Sequence, residues 1–451
     1  MLATLVGLGR RTVTGMLHTC GAGFQDWSAV YRLFSKARLD ADSLLAVTRR
    51  GVVEELDPGA PLVVAMDDSL LPKRGPKIPG VAWRRDPLGP PFHTNFIRAQ
   101  RVLAISALPG ADQLGPARAI PIDYQHAPTP RRPRNFIHAS DQERKQYRQA
   151  CRKDSMAAQG ARRLQVLRQQ LDQDSGSAQR PIEVVVDGRF TNRVVLRQLP
   201  ANTVLIGRVR KDAKLYHLPA PPPAGARGRG RLYGERAPTP EQLRCDEDVE
   251  WETVEAWAAG KVHRFRVKTL SPLRWRPAGG QRNLRLVVIA PLAYRSRPGS
   301  KLLYRQPAYL IVSDPDLSLQ SIVQHYVRRW EIEVNFRDEK TLLGVGEAQV
   351  RHPRSVAEVP RMIVAAYSWL LLAARRAGEA EASADALPPP KWQAGKKKQR
   401  ATTQDLLQRL RAELWGEGLR HFCSFPSPGH PDMKPQKLQH SLPQALLYAS
   451  R

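Results

Sequence analysis

Residues 326–340 read YVRRWEIEVNFRDEK. On an α-helix with ~3.6 residues per turn, Tyr326, Arg329, Glu333 and Lys340 fall inside one ~60° arc, spread over roughly 21 Å at ~1.5 Å rise per residue. One face then presents a phenol, two cations and a carboxylate. Glu333 on such a face can ligate a metal ion, while Arg329 and Lys340 track a phosphate backbone. A solvated helix laced with ion pairs has the same composition. The spacing therefore needs support from the rest of the chain.

The chain has 451 residues, room for two or three domains and a sizeable core. Hydrophobic residues make up 42%, which excludes a disordered chain. Lys and Arg total 71 against 42 Asp and Glu, a net charge of +29 and a pI near 10.6. That excess points to a polyanion, nucleic acid ahead of membrane. Cys20, Cys151, Cys245 and Cys423 show no paired spacing, which argues against a zinc site or a disulfide framework and suits a reducing cytoplasm. The longest apolar run, 362–374, is shorter than a membrane span of ~20 residues and reads as a buried helix. Arg10-Arg11 comes early, without an extended apolar core and cleavage site, so no secretory signal is expected.

Two strand-ending aspartates answer the helix. Leu62-Val63-Val64-Ala65-Met66 is a continuous apolar run that fits a buried strand, and it ends on Asp67-Asp68-Ser69. Ile182-Glu183-Val184-Val185-Val186 ends in the same way on Asp187, with Thr191 or Asn192 placed to cap a following helix. Residues 96–106 and 119–122 read as strands that complete an antiparallel meander with 62–66, and 203–209 as a strand after the second aspartate. Lys73–Pro91 reads as a basic surface loop. From Ser140 to about 168 the chain reads as one long basic helix, with Tyr147, Met156, Leu164 and Leu167 available for burial.

Five regions follow from this pass. Residues 1–56 are a helical N-terminal region, with Ser28 as a candidate cap, serving as a cap on the core or as a DNA-end or dimer contact. Residues 57–209 form the first part of an α/β core. Residues 210–317 form a β-rich insertion holding Trp251, Trp257, Trp275 and a basic Arg227–Arg231 stretch. Residues 318–377 are core helices. Residues 378–451 are a linker and a helical tail, with Thr403 as a cap.

Three carboxylates of this kind can hold two divalent ions for in-line phosphoryl transfer. The Tyr-x-x-Arg-x-x-x-Glu-x(6)-Lys spacing resembles the YREK signature of bacterial insertion-sequence DDE transposases, and Asp67-x-Ser69 and Asp187-Gly188 resemble that family's two aspartates. The resemblance covers roughly residues 60–375. It implies an RNase H-like mixed sheet flanked by helices, with catalytic and metal-binding roles for Asp67, Asp187 and Glu333. Asp68 remains the alternative to Asp67, since one residue of slip exchanges them. The implied cofactor is two Mg²⁺ or Mn²⁺ ions. Tyr326, Arg329 and Lys340 are the implied DNA contacts, with Trp275 a candidate platform for a flipped base. The expected partners are transposon-end and target DNA, with a homodimer in the DNA complex and no membrane. The expected place is the bacterial cytoplasm, on the nucleoid. A catalytically inactive, domesticated DNA-binding protein on the same scaffold is the alternative. Whether further sequence precedes Met1 is left open by the resemblance.

Overall fold

The computed structural model describes the chain apart from residues 23–25, 87–88, 91, 94, 175, 222–229, 296–298, 379–399 and 423–451. Most of the Arg227–Arg231 stretch, nearly all of the linker and the tail lie outside the described residues.

Four helices open the chain: α1 (Leu2–Val6), α2 (Val13–Thr19), α3 (Ser28–Ser35) and α4 (Ala41–Glu54). Thr12 caps α2 by accepting from the Gly15 amide, and Asp40 caps α4. Ser28 is not a cap. It is the first residue of α3, and its amide donates to the Asp26 carboxylate at 2.9 Å. The apolar sides of these helices join the main core through Leu5, Val13, Leu17, Phe34 and Leu45.

The core is a five-strand arrangement. Strands β1 (Leu62–Pro72), β3 (Phe96–Ala107) and β4 (Ile120–His126) form the antiparallel meander. A short strand β2 (Ala82–Arg85) pairs with the outer end of β3, in the stretch read from sequence as a loop. Its four residues alternate between exposed Trp83 and Arg85 and buried Arg84, a period the surrounding Pro and Gly residues mask.

Helices α5 (Asp141–Lys153) and α6 (Met156–Gln173) follow. They are two helices rather than one, because Ser155 accepts from the Ala158 amide and starts a new one. Met156, Leu164 and Leu167 are buried in α6, while α5 buries nothing.

Strand β5 (Ile182–Val186) is buried on both faces and runs parallel to β1. Asn192 caps the short helix α7 (Arg193–Arg197), and β6 (Thr203–Arg208) lies parallel to β5. The resulting order β4-β3-β1-β5-β6, with helices alongside, is that of an RNase H-like core.

Beyond β6 come β7 (Leu215–Tyr216), α8 (Pro240–Cys245), β8 (Glu252–Ala258), β9 (Lys261–Trp275), β10 (Leu284–Ile289), a small hairpin of β11 (Ala293–Tyr294) and β12 (Leu303–Tyr304), and β13 (Ala308–Val312). Strand β13 pairs with β6, so these strands apart from the β11–β12 hairpin, which is a sheet of its own, extend the same sheet to 11 described strands.

The stretch 326–340 is helical but not one helix. Helix α9 (Leu319–Arg328) and helix α10 (Trp330–Thr341) meet at Arg329, whose φ of −49° and ψ of −32° remain helical. Helix α11 (Pro353–Arg376) follows. It is apolar and long enough to cross a membrane by composition, yet 78% of its most apolar window is buried within the protein. Helix α12 (Thr403–Phe422) is capped by Thr402, which accepts from the Asp405 amide. Thr403 instead donates to the Asp338 carboxylate on α10 at 2.6 Å.

One ion cluster seats α9 on the sheet. His325 is fully buried, its Nε2 2.8 Å from the Asp112 carboxylate and its Nδ1 2.9 Å from that of Glu183 on β5. The Glu183 contact is an ion pair across the sheet face. Burial alone would lower the imidazole pKa, but the two carboxylates outweigh it and hold it at about 9. A histidine raised above its unfolded value of ~6.5 contributes stability fully present below ~6.5 and lost as pH rises through about 9. Between pH 6 and 9.5 the stability read from thermal melting should therefore fall by on the order of 3 kcal/mol more in the wild type than in His325→Gln. An identical pH profile in the variant would remove the imidazolium from the account.

Candidate active site

Strand alternation decides what each carboxylate faces. Asp67 and Asp68 are neighbours on β1, so they project from opposite faces of the sheet. Asp67 faces the helices. Its Oδ2 lies 3.0 Å from Nη1 of Arg329, and the same nitrogen lies 3.7 Å from Oε1 of Glu333 on α10. Ser69, two residues along, shares that face and accepts from Lys340 Nζ at 2.5 Å. Both ends of α10 are thus tied to β1. Asp68 instead pairs with Arg101 at 3.3 Å and Arg189 at 3.0 Å.

Asp187 reaches the same place through the sheet. The parallel pairing of β5 with β1 runs in register to Met66 opposite Val186, so Asp187, the first residue past β5, follows beside Asp67, whose pKa its charge raises. Asp187 is held by its own turn. One carboxylate oxygen accepts from the Arg189 amide at 2.9 Å, while its carbonyl accepts from the Thr191 hydroxyl, also at 2.9 Å.

These placements show in the protonation of Asp67. Burial raises its pKa first, repulsion from Asp187 next, and repulsion from Glu333 adds to both. The Arg329 guanidinium opposes them, and the carboxyl settles at about 7. Asp68 is also raised, by burial first, against the pull of Arg189 and Arg101. Burial lowers the pKa of Lys340.

The structure thus gathers Asp67, Asp187, Glu333, Arg329 and Lys340 at one site. Tyr326, one turn before Arg329, is half-buried against the core. Trp275 sits at the end of β9 beside Leu215 of β7, half-buried against the core. Trp251 is also half-buried, with Arg266 and Lys268 against its ring. Sequence reading missed the partners of Asp68 and the imidazolium beside Tyr326. The first depends on Arg101 of β3 and Arg189 just past β5, which the sheet brings together. The second had one signal, a lone glutamate, Glu183, inside a fully buried strand.

Among the described residues no three His, Cys, Asp or Glu side chains are placed to hold one ion as they stand. A cationic guanidinium bridges Asp67 and Glu333 instead. The donor set nevertheless fits a hard divalent cation. It is all carboxylate oxygen, and burial, with repulsion from Asp187 and Glu333, raises the Asp67 pKa despite the Arg329 guanidinium.

A comparison with curated proteins finds no match. The family model for the DDE superfamily endonucleases matches residues 1–277, more than half of the chain. The match includes Asp67 and Asp187 and stops short of Glu333. On that match, and on a core of this order, the chain belongs to the DDE endonuclease superfamily.

Proposed function

We propose that the protein is a cut-and-paste DNA transposase of the YREK type, cutting the ends of an insertion sequence and joining them to target DNA. The observation that carries this reading is the meeting of Asp67 and Asp187, on adjacent parallel strands, with a helix that presents Glu333 between two cations.

In this reading Asp67, Asp187 and Glu333 hold two Mg²⁺ or Mn²⁺ ions. When bound, the metals activate the attacking oxygen and stabilise the leaving one. The chain's own residues supply the frame. The strand pairing fixes the two aspartates side by side. Lys340 and Arg329 fix α10, and with it Glu333, against β1. Arg329 offsets the charges of Asp67 and Glu333, and its five donors would suit a DNA phosphate. Tyr326 and Lys340 lie along the same path, and Trp275 is the candidate stacking surface for a flipped base. The functional complex is a homodimer on DNA.

Asp67→Asn, Asp187→Asn and Glu333→Gln should each abolish strand cleavage, a loss of at least about a thousandfold, while DNA affinity stays within a few-fold. Asp68→Asn should retain cleavage, because Asp68 faces away. Full activity in the Asp187 or Glu333 variant, measured on a labelled transposon end, would sink the assignment.

The metal can be followed without activity. A ligand at ~100 times its dissociation constant stabilises the folded state by about 2.7 kcal/mol. Mg²⁺ or Mn²⁺ should therefore raise the melting temperature of the wild type and leave Asp67→Asn unmoved. Equal shifts in both proteins would place the ion elsewhere.

With a net charge of +29, binding to DNA should weaken steeply and log-linearly with salt through counterion release. A flat response between ~50 and ~200 mM salt would count against a nucleic-acid substrate.

A further inference from the structure

Beyond the carboxylate site, the outer end of the sheet carries exposed aromatic side chains where a soluble protein has least reason to place them. Trp83 on β2 is 68% exposed, Phe96 on β3 is 56% exposed and Phe92 at the hairpin tip is 94% exposed. The register puts two of them on one face with two arginines. Trp83 pairs with Arg98 and Arg85 with Phe96, and partners across a strand pair point the same way. The Arg98 guanidinium lies over the Trp83 ring, 5.7 Å from its centroid. Asp86 is the nearby acid in the hairpin, and it accepts from the Asn95 side chain at 3.4 Å.

The same alternation relates this ledge to the catalytic face. Asp67 pairs with Ala104, and counting by twos along β3 leads to Phe96 and Arg98, so the ledge looks out on the side of the sheet that bears Asp67 and Ser69. From Ala104 back to Arg98 the strand runs roughly 20 Å at ~3.3 Å per residue. Between the two the face is covered. Lys73 donates to the Gly346 and Ala348 carbonyls, and Gln100 donates to the Pro79 carbonyl. The ledge is therefore a separate patch, about six stacked nucleotide steps of ~3.4 Å from the carboxylates.

We infer that Trp83, Phe96, Arg85 and Arg98 form a stacking platform for single-stranded DNA flanking the cut. The inference rests on the DNA-cutting reading above and adds a strand-selective surface to it. Exposed rings offer faces on which unpaired bases stack whatever their sequence, and the neighbouring guanidiniums take the phosphates. A paired duplex hides its base faces in the stack, so the ledge discriminates for the unpaired strand.

The test uses the full chain with three labelled DNAs of one sequence: a single strand, a blunt duplex and a duplex with a single-stranded flank. By fluorescence anisotropy, Trp83→Ala with Phe96→Ala should lose roughly tenfold or more for the single strand and the flanked duplex, and under about twofold for the blunt duplex. Trp83→Phe should keep most of the affinity, which separates loss of an aromatic face from loss of folding. Unchanged binding of all three DNAs by the double variant, or equal losses on all three, would overturn the platform and leave the carboxylate assignment standing. A wild-type protein that binds none of the three would overturn both.

Discussion

Asp67 is buried with the charges of Asp187 and Glu333 close by, and the rest of this site is a response to that burial and repulsion. The in-register pairing of Leu62–Met66 with Ile182–Val186 leaves Asp67 and Asp187 no freedom to separate along the sheet. Glu333 adds a third negative charge. The protein offsets the cost with fixed cations, Arg329 on the helix side and Arg101 and Arg189 around Asp68 on the other. Leaving such a charge buried and unpaired costs about 3–5 kcal/mol. Helix α10 is thereby held to the sheet partly by the charges it must accommodate.

The sheet contributes rigidity at the point where the chemistry needs it. Strand β5 is apolar on both faces except at Glu183, and that exception is answered by His325. Behind α10, Asp338 accepts from Thr403 of α12, so the helix that carries Glu333 is held on its other side as well. A carboxylate on elements fixed in this way is held in one position.

Much of this arrangement was legible in the sequence because it rests on two periods. The apolar runs 62–66 and 182–186 mark buried strands, although Asp67 does not end its strand as expected, since β1 continues to Pro72, and the 3.6-residue period places Arg329, Glu333 and Lys340 on one helix face. The one-residue break at Arg329 escaped notice because its backbone stays helical and preserves the period. The choice between Asp67 and Asp68 stayed open because alternation says that they differ in face and not which face meets the helix. Strand β2 was hidden by flanking Pro and Gly. His325 could not be read because a buried imidazolium is defined by Asp112 and Glu183, which the chain brings from far away. Trp83 looked like part of a basic loop for a related reason, since its exposure depends on an edge strand that local composition does not announce.

The break at Arg329 has a mechanical meaning. Helix α9 is anchored to β5 through His325 and Glu183, and helix α10 to β1 through Lys340 and Ser69. The two anchors sit on different strands, and Arg329 is the residue between them. The residue at which the two helices join is thus the one whose guanidinium touches both Asp67 and Glu333, so the junction of the helices and the charge balance of the carboxylates rest on a single side chain.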